Sequence, residues 1–162
     1  MKTKMWGDLM KEVFEFHLRV RGVILQNNKL LVARSRNGKY VFLPGGHVEG
    51  NESLIYALKR EFQEEANLKC KIKSYLGLIE HDYSRDNVKH FELNHIFEVD
   101  AANFPLSKVE SMEPHLEFLW VETNKLEEVN LQPYPLVELI KNYAQNKSNN
   151  VWFASTVKNF IG

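Results

Sequence analysis

Glu49, Glu52, Glu61, Glu64 and Glu65 gather around a single arginine, Arg60, within "LPGGHVEGNESLIYALKREFQEEANL", Leu43 to Leu68. The stretch opens on a Pro-Gly-Gly corner and continues as the strongest helical pattern in the chain, about Ser53 to Ala66. On a wheel at roughly 100° per residue, Leu54, Leu58 and Phe62 form an apolar stripe with Ile55 beside it. Glu61 and Glu65 fall inside or against that stripe, and Glu64 lies next to them on the Ala57 side. Carboxylates crowded at the margin of a buried face are costly unless cations compensate. Arg60 neutralises only part of this charge. A divalent ion is the natural remaining partner, and hard oxygen donors suit Mg²⁺ or Mn²⁺. A glutamate pair on a helix is ordinarily a solvated face; the corner in front of it argues for more. Gly45 and Gly46 can expose backbone carbonyls and amides, offer a ligand oxygen and let a phosphate approach closely.

The elements around this helix must hold it against a sheet. Ser53 or Asn51 suits its N-cap, and Asn67 can take the left-handed position that closes it. Upstream, "HLRVRGVILQ" and "KLLVARSR" flank the Asn27-Asn28 turn signal and read as a hairpin. "GKYVFLPGG" is a short strand stopped by Pro44. Downstream, "CKIKSYLGLIEHDY" and "HFELNHIFEVD" read as strands joined by a polar, mobile loop, "SRDNVK". "LEFLWVE" is a further strand, "NKLEEV" a short helix and "PLVELIKNYAQ" an amphipathic helix. A short helix is expected around Met5 to Glu12, and "NKSNN" reads as a flexible connector. Strands come in runs, so a mixed sheet flanked by helices is expected in one α/β domain.

The residues Gly46, Glu52, Arg60, Glu61, Phe62, Glu64, Glu65, Asn67 and Leu68 resemble the Nudix box in type and spacing, with Asn67 where the family has Gly. The resemblance implies a Nudix-like α/β/α sandwich over residues 16–145, an N-terminal extension over 1–15 and a tail over 146–162. It also implies a Mg²⁺-dependent hydrolase, with Mn²⁺ as a substitute, that cleaves a pyrophosphate bond in a nucleoside diphosphate linked to another moiety. By similarity, Glu64 and Glu65 are the principal metal ligands, with the Gly45 carbonyl as a further one. Glu61 is a ligand or the base that takes the proton of the attacking water, with Arg60 orienting it. Glu52 braces the loop through Arg60. Glu117 is the expected acid from outside the box. Gly46, His47, Arg34 and Tyr83 are the expected substrate contacts. The alternative is a catalytically silent nucleotide-binding or sensor module on the same fold, which would more often have lost some of these acids.

At 162 residues with 21 basic and 21 acidic side chains, the chain lacks the basic excess of a general nucleic-acid binder. The expected partner is a nucleotide-type small molecule, and homodimerisation is frequent among such enzymes. Cys70 is the single cysteine, so no intrachain disulfide or cysteine zinc site can form. His81, His90, His95 and His115 stand at no metal-ligand spacing, so no zinc site is expected. No apolar run suggests a signal peptide or membrane span, and a cytoplasmic protein is the default.

Overall fold

The chain alternates between two sheets, and its side chains sort accordingly. The computed structural model describes residues 14–146 and 150–158; the helix expected over Met5 to Glu12 and most of the "NKSNN" connector lie outside them. One sheet contains β1 (Phe14–Val23), β5 (Gly45–His47), β6 (Ile72–Arg85), β7 (Val88–Val99) and β10 (Trp152–Ser155), in the order β10-β6-β7-β1-β5. The other contains β2 (Leu25–Gln26), β3 (Lys29–Ser35), β4 (Val41–Phe42) and β9 (Leu131–Gln132), with β8 (Leu116–Glu122) paired to β3. Both are mixed, with parallel β1–β7, β6–β10 and β4–β9 pairs among antiparallel ones. Helices α1 (Leu54–Ala66) and α2 (Pro135–Ala144) complete the layers.

β3 is the shared wall of the core. Its alternation sends Leu31 and Ala33 into the cluster around Leu58 and Phe62 of α1. It sends Leu30 and Val32 into the cluster around Leu136 and Ile140 of α2. The expected α/β/α layering follows from this two-sided burial.

Three local expectations change. The Asn27-Asn28 turn, with φ of 51° and 60°, joins only β2 to β3. The longer upstream run leaves that hairpin at Ile24, and its body, β1, pairs with β7 and β5 in the other sheet. The "SRDNVK" segment is largely strand: Asp86 and Asn87, at φ 53° and 63°, make a two-residue hairpin turn between β6 and β7. The helix expected in "NKLEEV" is reduced to a 3₁₀ turn, Thr123–Lys125.

α1 forms as its caps dictate. The Ser53 hydroxyl accepts from the Tyr56 N–H at 3.2 Å. Asn67 sits at φ 51°, ψ 35°, and its N–H reaches the Gln63 and Phe62 carbonyls. The buried face is Ala57, Leu58, Phe62 and Ala66, while Ile55 is exposed. Among the described residues, no helix is long and apolar enough to cross a membrane.

Candidate active site

The Gly-Gly corner is held from β1. Arg21 and Gly45 are register partners in the β1–β5 pair, and Arg21 Nη1 donates to the Leu43 carbonyl at 3.2 Å and the Gly45 carbonyl at 2.8 Å. The two glycines serve different needs. Gly45 has φ 125°, a backbone region that disfavours side chains. Gly46 lies against α1, where an added methyl group would run into the Glu61 carboxylate.

Arg60 locks the corner to the helix. Its Nε and Nη2 grip the Glu52 carboxylate at 3.0 and 2.7 Å, a bidentate fork. Nη2 also donates to the His47 carbonyl at 3.0 Å. Nη1 reaches Glu61 and Glu64, each at 3.0 Å. Glu52 in turn accepts from the Glu49 N–H at 2.7 Å, which closes the loop before α1. With its donors engaged in this way, Arg60 has little left to offer Glu65.

Two acids remain at the buried margin. Glu61 is only 13% exposed at its side chain, whereas Glu64 is 55% exposed and turned outward beside Arg60. Burial pushes the Glu61 carboxyl above its ordinary range, with Arg60 opposing. Burial also lifts Glu65, with the neighbouring Glu61 charge adding to it, to about 7. Glu65 Oε2 is buried with no hydrogen-bond partner. An orphaned carboxylate oxygen beside a second raised carboxyl is the donor set that a divalent cation would satisfy.

Next to these acids opens a cavity of about 610 Å³. Its polar floor is a ladder on neighbouring strands, spaced two apart along each: Arg19 and Arg21 on β1, Glu92 and Asn94 on β7, His81 and Tyr83 on β6. Arg19 Nε pairs with Glu92 at 2.8 Å, and Arg21 Nε donates to Asn94 Oδ1 at 3.3 Å. Burial raises the pKa of Glu92, but Arg19 and Arg21, together with the Asn94 hydrogen bond and His81, hold the carboxyl below its ordinary range. Burial lowers the Arg21 pKa to about 10, so this guanidinium stays charged at neutral pH. Tyr40 and Phe42 supply aromatic wall, with Arg21 over the Phe42 ring at 5.4 Å.

The expected site residues divide in two. Gly45, Gly46, His47, Glu61, Glu65 and Tyr83 line this cavity, and Arg60 and Glu64 stand directly behind Glu61. Arg34 and Glu117 do not line it; they pair with each other at 2.7 Å on facing positions of β3 and β8. Leu116 and Phe118 belong to the α1-side cluster and Leu119 packs with the α2-side cluster, so alternation turns Glu117 away from α1. Outside α1, Glu92 lies on the cavity floor, and Glu113 stands near enough for its charge to raise Glu65 further. It is carried there by the Met112 N–H, which donates to the Glu65 carbonyl at 2.7 Å. Arg19, Arg21, Glu92 and Asn94 line the cavity without belonging to any local motif. Their signal was the polar residue at every second position in "HLRVR" and "HFELN", whose meaning depends on which strands pair.

The NUDIX domain model matches residues 15–140. The chain belongs to the Nudix family. Over 76 residues it is 37% identical to an 8-oxo-dGTP diphosphatase of Buchnera aphidicola subsp. Schizaphis graminum, covering 44% of this chain and 58% of that protein. It is 38% identical over 76 residues to an ADP-ribose pyrophosphatase of Methanocaldococcus jannaschii, covering 44% of this chain and 45% of that protein. These matches thus span about half the length of each curated relative. The Nudix fold is also that of the MutT protein from Methanosarcina mazei Go1, with a TM-score of 0.63 at 19% identity over 83% of this chain and 97% of that one.

Proposed function

We propose that this Nudix protein is a divalent-metal-dependent hydrolase cleaving the pyrophosphate bond of a nucleoside diphosphate linked to another moiety. The observation that carries this reading is Glu65 Oε2, buried without a partner beside Glu61 and the Gly45–Gly46 corner, on a cavity of nucleotide-compatible size. The names of the two curated relatives, an 8-oxo-dGTP diphosphatase and an ADP-ribose pyrophosphatase, support a phosphoanhydride substrate.

Glu61, Glu65 and the Gly45 carbonyl would hold Mg²⁺ or Mn²⁺, joined by Glu64 when it swings away from Arg60. Such an ion, when bound, would neutralise phosphate charge and lower the pKa of a water. The protein's own residues do the positioning. Arg60 fixes Glu61 at 3.0 Å, placing it as a ligand of the ion or as the base that takes the proton of an attacking water. Arg21 acts as a positioning residue by holding the corner through two carbonyls. Arg19 and His47 face the cavity and can hold phosphate oxygens, while Gly46 admits the diphosphate close to the backbone. Tyr40, Phe42 and Tyr83 offer faces for a base, and Glu92 and Asn94 offer polar edges. Glu117 faces away from this site, and Glu92 is the acid from outside α1 that lines the cavity.

A hydrolysis screen over nucleoside triphosphates and nucleoside diphosphate derivatives with Mg²⁺ or Mn²⁺, read by ³¹P NMR, tests the assignment. Turnover of at least one class is expected. Glu61→Gln and Glu65→Gln should each lower kcat by at least about a hundredfold with unchanged circular dichroism. No turnover on any member with either ion, or undiminished turnover in both variants, would overturn it.

A further inference from the structure

Away from α1, the parallel pairing of β1 with β7 gathers a second set of metal-ligating side chains. Glu15 and His17 project from β1, and His90 from the facing position of β7, where it is the register partner of Glu15. His17 Nε2 stands 2.9 Å from His90 Nδ1. Glu15 Oε2 stands 3.7 Å from His17 Nε2 and 3.4 Å from His90 Nδ1. Three donor atoms on a tetrahedral ion with bonds of about 2.0–2.1 Å would lie roughly 3.3 Å apart. The three observed edges bracket that value, and all three atoms lie within 4.8 Å of one another.

We propose that Glu15, His17 and His90 form a binding site for a borderline transition-metal dication of the Zn²⁺ type, separate from the acids of α1. Two imidazoles and one carboxylate are the donor set that favours such an ion over Mg²⁺, which prefers oxygen alone. Three protein ligands leave a fourth tetrahedral position open. The far side of His17 is already oriented, since its Nδ1 lies 3.0 Å from His47 Nε2. With the proton on Nδ1 donated to His47, the Nε2 lone pair is turned to the ion, and His47 stands in the place of the outer-shell acceptor of a metal-bound histidine. His90 is buried and stacked on Tyr83 at 4.7 Å with a 12° interplanar angle, which fixes its ring. No chain spacing announces this set, because His17 and His90 are 73 residues apart.

The site is wired to the Gly-Gly corner through one residue. His47 meets His17 with its ring and Arg60 with its carbonyl. An ion that orders His17 therefore also braces the loop that carries Gly46.

Zn²⁺ titration of the chelator-stripped protein against a chromophoric competitor tests the proposal, with Co²⁺ absorption reporting the coordination geometry. The titration is run in wild type and in a Glu64→Gln/Glu65→Gln background, which disables the α1 acids. One Zn²⁺ per chain is expected in both, with a Co²⁺ spectrum of tetrahedral intensity. Affinity should fall by about a hundredfold or more in His17→Ala. Glu15→Gln changes an exposed side chain and keeps the test decisive should His17→Ala fail to fold; a loss of about tenfold or more is expected there. Absence of Zn²⁺ binding in wild type would overturn the proposal. So would binding that vanishes in the α1 background yet survives Glu15→Gln and His17→Ala unchanged.

Discussion

Glu61 and Glu65 are held against the core at an electrostatic cost that only a proton or a cation relieves. The sign of the resulting pH dependence follows from the direction of the shifts. Burial raises the folded-state pKa of Glu65 to about 7, above the ordinary carboxyl value of about 4.3. Its contribution to stability is therefore fully present below the ordinary value and lost as pH rises through the folded one. The chelator-treated protein should melt at a lower temperature at pH 8 than at pH 5.5 on this account. Millimolar Mg²⁺ should restore part of the loss, and Glu65→Gln should flatten the profile; thermal melts across pH check all three. Gly46→Ala makes a complementary case, because the added methyl meets a carboxylate rather than the backbone. The carboxylate is expected to yield, costing about 1–3 kcal/mol of stability but moving Glu61 and abolishing most turnover, as paired melts and rate measurements would reveal. At this scale Arg60, Glu61 and Glu65 were legible in the sequence, since their relation is set by one helix. Arg21 was not: its work is done on carbonyls 22 and 24 residues away.

Elements follow the same division between local and distant causes. α1 could be read end to end, because Ser53 and Asn67 specify its caps by chemistry confined to one turn. The one departure from the family pattern, Asn67, occupies the left-handed position at φ 51° with both closing N–H contacts made. Asn67→Gly should accordingly change stability by only a few tenths of a kcal/mol, whereas Asn67→Ala should cost about 1 kcal/mol; urea denaturation distinguishes them. Strands were harder. Glu117 sits in a correctly placed strand, yet its face was not legible, since alternation fixes the two faces without saying which one looks at α1. "SRDNVK" misled for a related reason. Its polarity suggested a loop, but Asp86 and Asn87 alone make the turn, and the flanking polar residues belong to the exposed ends of β6 and β7.

Over the whole molecule, the sheet that floors the cavity is assembled from distant parts of the chain. β10 adds to its far edge beside β6, where Trp152 is buried against Tyr143 of α2 at 5.7 Å between ring centroids. Gly77, at φ 152°, leaves the room that Trp152 occupies. Trp152→Ala should therefore cost about 3–5 kcal/mol, measured by urea denaturation, although the residue touches none of the proposed catalytic groups. The α/β class and the helix-bearing layers were legible from pattern alone; the strand order was not, because pairing between remote segments leaves no local mark. That remoteness has a consequence for how the protein is made. β1 emerges early during synthesis, but its polar ladder gains its partners only once β7 has followed, and a loop of some seventy residues must close first. Until then the β7-facing edge of β1 is unpaired, and Arg19, Arg21 and His17 lack Glu92, Asn94 and His90. The pocket is among the last features of the chain to exist, and a ligand that fits it recognises only completed molecules.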